Sequence, residues 1–272
     1  MNRLDPRKRA QVVAALVEGN SVRATVRMTG VAKNTIQKLV LQLGAACATY
    51  MDAHIRNLSS QRIQCDELWS FVGAKEKNVT DQMRDKGHAG DVWTWVAIDA
   101  DSKLVVSFAV GGRDYRTARE FMGDVASRLA NRVQLTTDGF KCYLSVVSPA
   151  FANEVDYAML VKIYGATSDT GRYSPAECIG CDKRTIIGNP DAAHVSTSFV
   201  ERQNLTVRMS NRRFTRLTNA FSKKLDNHIA ALAIHYMHYN FARVHQTLRV
   251  TPAMEAGLTD HVWSVPELIN LL

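Results

Sequence analysis

The chain has 272 residues, is 46% apolar and carries a formal charge of +8 with a pI near 9.3. That apolar fraction excludes a disordered chain, and the length suits one sizeable core plus a small accessory domain, since domains run to roughly 100–200 residues. No apolar core follows Met1-Asn2-Arg3-Leu4-Asp5-Pro6, and no stretch reaches the roughly 18 uncharged apolar residues of a membrane span, so the expectation is a cytoplasmic protein with no membrane partner.

Residues 1–58 read as three short helices. Asp5 can cap the first with Pro6 at its first position, and Val12, Val13 and Leu16 give it an apolar face before Gly19 stops it. Ser21 can cap a second helix to about Thr29. Gly30 then supplies a tight turn before a third, starting near Lys33 and carrying Ile36, Leu39, Val40 and Leu43 inward. This is helix-turn-helix spacing, in which the start of the last helix, here Lys33, Asn34, Thr35, Gln37 and Lys38, faces the major groove. Asn and Gln can read adenine edges, and Lys can reach guanine or phosphate. A plain three-helix packing bundle would show the same short pattern.

After a polar stretch the period changes to that of strands: 62–72 with Asp66 near its middle, 93–99, and 104–110, joined by short loops into an antiparallel meander. A helix over 117–129 follows, with Ala118, Phe121, Met122, Val125 and Leu129 at helical spacing. The segment 132–140 reads as a strand ending in Asp138-Gly139, an edge at which ligand groups gather in α/β sheets. A helical stretch leads to Phe151, and 157–163 can be a fifth strand. The fold class expected is therefore α/β: a mixed sheet of three antiparallel and two parallel strands with flanking helices, behind an all-α segment.

No period emerges over 165–197, which reads as a long inserted loop, and loops of that length are usually functional or mobile. It contains Cys178-Ile179-Gly180-Cys181. Five scattered cysteines argue against a disulfide framework, and a closed zinc site needs about four ligands, of which only His194 offers a nearby third. Lys183 and Arg184 make DNA contact by the loop plausible. A helix opens at Ser198 and is expected to run through Arg202, Arg208, Arg212, Arg213 and Arg216. Another, over 223–241, carries Leu225, Ile229, Leu232, Ala233, Tyr236 and Met237. Residues 246–272 form a tail.

The charge is partitioned. Residues 1–58 hold nine Lys and Arg against three acids, 59–199 sixteen against eighteen, 200–250 nine against two, and the remainder none against three. Two basic segments around a slightly acidic middle suit a polyanion, since phosphate contacts supply most non-specific nucleic-acid affinity; the plainer account is two solvated helical faces. The chemistry rests on Asp66, Asp138 and Glu201, each on a different element. A carboxylate within an apolar strand is costly unless paired, protonated or metal-bound. Three that converge would make a divalent-cation site whose hard oxygens suit Mg²⁺, with Mn²⁺ able to substitute. Trp69 is expected to pack in the core.

At these residues the chain resembles the insertion-sequence transposases of the IS-one family. The resemblance is carried by Cys65-Asp66-Glu67-Leu68-Trp69-Ser70-Phe71-Val72-Gly73-Ala74-Lys75, by Thr137-Asp138-Gly139-Phe140, and by Val200-Glu201-Arg202-Gln203-Asn204-Leu205 with Phe214-Thr215-Arg216-Leu217-Thr218 and Phe221-Ser222-Lys223, and it covers most of 60–240. It implies a ribonuclease-H-like catalytic domain over 59–245 behind a helix-turn-helix domain over 1–58, and Mg²⁺-dependent DNA cleavage and strand transfer in a bacterial cytoplasm. Asp66, Asp138 and Glu201 become the DDE triad, catalytic and metal-binding, with Arg202 and Asn204 positioning DNA or supporting it. The implied partners are double-stranded DNA, both terminal inverted repeats and target, and a homodimer or larger assembly on it. The chain departs from the family in having no zinc-finger-like cysteines before Cys47 and in the 62 residues between Asp138 and Glu201.

Two readings compete. A DNA-binding regulator with an inert core would bind specific sequences without cleaving, and a simple nuclease would release ends without joining them. The run 235–245, with its His, Tyr and Arg residues, does not supply a tyrosine recombinase beside a strand-rich acidic core; Arg243 and His245 are expected to pack the last helix.

Overall fold

The structure, a computed structural model, describes residues 4–85, 89–165 and 177–272. Three helices open the chain: α1 (Pro6–Val17), α2 (Val22–Thr29) and α3 (Lys33–His54). Ser21 caps α2 by accepting from the Ala24 amide at 3.1 Å, and Gly30, at φ +69°, makes the left-handed turn that few residues other than glycine adopt without strain. The α3 helix is longer than its expected apolar stripe, burying Cys47 and Met51 beyond Leu43.

The rest runs β1 (Arg62–Val72), α4 (Asp81–Asp85), β2 (Gly90–Asp99), β3 (Val105–Gly111), α5 (Tyr115–Arg128), β4 (Val133–Asp138), α6 (Cys142–Ala150), β5 (Val155–Tyr164), β6 (Cys178–Ile187), α7 (Ser198–Ser210), α8 (Leu225–Met237), α9 (Pro252–Glu255) and α10 (Val265–Ile269). The strands form one mixed six-stranded sheet in the order β3-β2-β1-β4-β5-β6. The β1–β2, β2–β3 and β5–β6 pairs are antiparallel, whereas β1–β4 and β4–β5 are parallel. Residues alternate across β1: Gln64, Asp66 and Ser70 face α7 and α8, while Glu67 faces α5 and α6.

The register places the site. Pairing of β1 with β4 stops at Cys65↔Thr137, while β1 continues to Val72 against β2. Asp66 and Asp138 thus flank the point where the parallel ladder opens.

Two expectations are corrected. Part of the supposed loop 165–197 is the edge strand β6, and residues 166–176 of that loop lie outside the described residues. Most of β6 is exposed on both faces, so it has no apolar alternation to betray it. The helix carrying Glu201 ends at Ser210, so Arg212, Arg213 and Arg216 lie beyond it. Asn211 stops the helix, its side-chain oxygen accepting from the Arg213 amide at 3.3 Å and its amide donating to the Ala231 carbonyl at 3.3 Å.

One apolar core extends from Val12 of α1 to Ile269 of α10. Among the described residues no helix is long and apolar enough to cross a membrane.

Candidate active site

Three carboxylates meet where β1 outruns β4. Ligand oxygens of Asp66, Glu67 and Asp138 all lie within 4.8 Å of one another. Asp66 accepts from the Glu67 amide at 2.8 Å and from Asn204 Nδ2 of α7 at 2.9 Å. Burial, and then the charge of Asp138, push its carboxyl up to about 6. Asp138 accepts from the Phe140 amide at 3.0 Å, and burial raises it too.

Glu67 is buried against the other face, where it accepts from the Tyr143 hydroxyl and from Arg113 Nε at 3.1 Å. Burial and the Asp138 charge push it up to about 7. Arg113 Nη2 reaches Asp138 at 3.5 Å, and its guanidinium stacks 4.1 Å from the Phe140 ring and 4.8 Å from that of Trp93. Packing and ion pairing hold this arginine across two of the three acids. Even so, all three carboxyls stay raised, which means that the protein's own cations do not offset the burial and mutual repulsion. A half-buried, all-oxygen donor set whose carboxyls repel one another fits a hard divalent cation.

Glu201, in the first turn of α7, lies outside that 4.8 Å group. Both its oxygens accept from Lys162 Nζ of β5, at 2.6 and 2.5 Å, and Thr197 Oγ1 donates to it at 2.5 Å. Its charge still raises the carboxyls of Asp66 and Asp138, so it stands at the rim of the cluster. Sequence reasoning missed Glu67, Tyr143, Arg113 and Lys162. Only the acid next to Asp66 carried a signal.

Asn204 is buried and bound to Asp66, while Arg202 is exposed on the same helix. Arg208 is half-buried, its guanidinium held below its usual range by burial and by Arg216. Arg213 donates to Ser222 Oγ at 3.2 Å, and Arg216 is exposed. At the start of α3, Lys33, Asn34, Thr35 and Lys38 are exposed and Gln37 is half-buried. Cys178 and Cys181 are free and exposed; His194 instead meets Arg62 Nη1 through Nδ1 at 2.7 Å. Trp69 is half-buried rather than a core residue, its ring 5.9 Å from that of Phe71.

No protein-family model and no curated protein matches this chain. Among solved structures it is similar to a piggyBac transposase in a synaptic complex with hairpin DNA, at 10% identity and a TM-score of 0.40, over 99% of this chain and 70% of that one.

Proposed function

We propose that the protein is a DNA transposase that cleaves and joins DNA strands by metal-dependent phosphoryl transfer. The observation that carries this is the half-buried cluster of Asp66, Glu67 and Asp138 at the open end of the β1–β4 ladder. The five strands in the order β3-β2-β1-β4-β5, with acids on the first and fourth, support a ribonuclease-H-like reading. The motifs around Asp66, Asp138 and Glu201 support the IS-one family.

Asp66 and Asp138 would hold Mg²⁺ or Mn²⁺, with Glu201 as a further ligand if its ion pair with Lys162 opened. When bound, the ions supply activation of a water or 3′-hydroxyl and charge neutralisation at the leaving oxygen of an in-line displacement. The chain's own groups prepare the site. Asn204 orients Asp66 through its amide, Arg113 bridges Glu67 and Asp138, and Tyr143 holds Glu67 on the α6 side of the sheet. Arg202, next to Glu201, and Arg208, about two turns beyond it, offer cations to the backbone of the strand being cut. Residues 1–58 are the proposed reader of terminal inverted repeats, and pairing of two ends calls for a dimer or larger assembly on DNA.

The test is incubation of purified protein with Mg²⁺ and a duplex carrying its own element's end. Asp66→Asn, Asp138→Asn and Glu201→Gln are each expected to reduce cleavage and joining to background while the fold is kept. Metal-dependent cleavage and joining by any of the three variants overturns the reading. Release of ends without joining by the intact protein makes it a nuclease instead.

A further inference from the structure

The start of α3 does not stand on a free surface. It forms one wall of a cleft of about 1000 Å³ whose opposite wall is the segment after α7, with α8 at the floor. Arg23, Lys33 and Lys38 line the first wall, and Arg212, Lys223 and Lys224 the second. With Arg213 that makes seven Lys or Arg, and among the described residues not one Asp or Glu lines the cleft, in a protein with 26 acids. Such a groove attracts a chain of phosphates.

Its floor carries polar atoms without partners. His235 is 5% exposed, lines the cleft, and its Nε2 makes no hydrogen bond; Asn227 Oδ1, also in the lining, is likewise unpaired. Both atoms are sealed from solvent, so they are polar groups of the floor and not contacts already open to a ligand.

The rim adds an aromatic surface. Phe221, in the lining, packs 4.6 Å from Phe71, which lies 5.9 Å from Trp69. Lys223 Nζ lies 3.3 Å from the Phe221 ring centroid, and Lys75 Nζ 5.8 and 5.9 Å from those of Trp69 and Phe71. Cations interleaved with half-buried rings are how proteins grip unpaired nucleotides, phosphate on cation and base on ring.

We propose that this cleft binds a single strand of DNA, held between the start of α3 and residues 211–224. Asn34 and Gln37, the proposed readers of a duplex end, lie in this lining together with residues 211–213, 218–221 and 223–224, so reading a duplex there calls for that segment to part from α3, whereas the rings at the rim suit a single strand. The two basic segments of the sequence are then the two sides of one channel. The inference rests on the DNA reading for the polymer, not on the cleavage chemistry.

The test is fluorescence anisotropy of the full chain in EDTA, with a labelled oligothymidylate of about twelve nucleotides and a duplex of equal length. The single strand is expected to bind more tightly than the duplex. Lys223→Ala with Lys224→Ala should weaken it about tenfold or more and flatten its log–log salt dependence by about 1.4, two phosphate contacts' worth. Phe221→Leu should weaken it several-fold with the salt slope unchanged, and Arg116→Ala with Arg119→Ala, on α5, should leave it alone.

Equal or tighter duplex binding, or equal losses in the α5 variant, overturns the proposal. If the lysine variant melts at lower temperature, Phe221→Leu decides. The Asp66→Asn protein should bind the strand as the parent does. A parent protein that cleaves DNA but does not bind the strand therefore sinks this inference alone, and one that binds the strand but does not cleave sinks only the catalytic reading.

Discussion

Lys162 satisfies both oxygens of Glu201, and any cation that takes Glu201 as a ligand must displace it. The pair is partly exposed, at 31% and 39% of side-chain surface, so screening limits its strength to that of a surface ion pair, up to about 1 kcal/mol. A latch that weak is one a divalent ion can open. Lys162→Met is therefore expected to tighten Mn²⁺ binding by several-fold in isothermal titration, with a stability change within about 1 kcal/mol. Unchanged affinity would mean that Glu201 is no ligand. The acids were legible in the sequence as residues whose burial needed a reason; what opposes them was not. Strand alternation sends Glu67 to the face opposite Asp66, and only the early end of the β1–β4 ladder lets Asp138 reach between the two. Arg113, reaching back from beyond β3, and Lys162, on β5, belong to the site through sheet order, which no local pattern in the sequence encodes.

At the scale of elements, one contact decides how the α3 helix and the core sit together. Gly44 of α3 lies so close to α8 that an added Cβ would stand 2.5 Å from both Cα and Cβ of Ala230. In an isolated helix Gly→Ala is worth up to about 1 kcal/mol of stabilisation. Overpacking two helices typically costs about 1–3 kcal/mol, and a 2.5 Å approach to backbone cannot be relieved by a rotamer change. The second effect wins: Gly44→Ala is expected to lower the denaturation free energy, read as an earlier urea midpoint at unchanged slope. A later midpoint would show that α3 and α8 are free to part. The elements most readable from sequence were those with one buried face, such as α5 with Phe121, Met122 and Val125 inward. The strand β6 escaped notice because its residues are solvated on both sides, and the end of α7 because Asn211 stops it through a bond to α8 that sequence spacing does not reveal. The pairing of α3 with α8 depends on the smallness of Gly44 and Ala230, and small residues give no periodic signal.

Across the whole molecule, buried histidines tie the sheet, α8 and the segment after α7 together, and they make stability depend on pH. His228 bridges Ser70 of β1 (Nε2 to Oγ, 3.2 Å) and Ser222 (Nδ1 to Oγ, 3.0 Å), and Arg213 donates to the same Ser222. Burial, and then the Arg213 charge, push His228 down to about 4, and burial pushes His235 down to about 3. A histidine kept neutral in the fold takes a proton in the unfolded chain once pH drops below about 6.5, so its contribution is complete above that value. It is lost progressively as pH falls toward about 4, where folded His228 titrates as well. The slope reaches about 1.4 kcal/mol per pH unit for each such histidine. Asp66 and Glu67 act in the opposite sense over part of the same window. Their folded carboxyls, raised to about 6 and about 7, take up protons before the unfolded chain does and add stability on acidification. The net pH profile of the protein is therefore a poor readout, but the difference between two profiles isolates one group. His228→Asn, whose amide can still donate to one serine and accept from the other, is expected to be less stable than the parent at pH 7. Between pH 6 and pH 4.5 its urea-denaturation free energy should fall by about one proton's worth less per pH unit, so the two curves converge as the medium is acidified. Parallel curves would mean that His228 is already charged in the fold, and the serine bridge would then have to be built from two donated hydrogens.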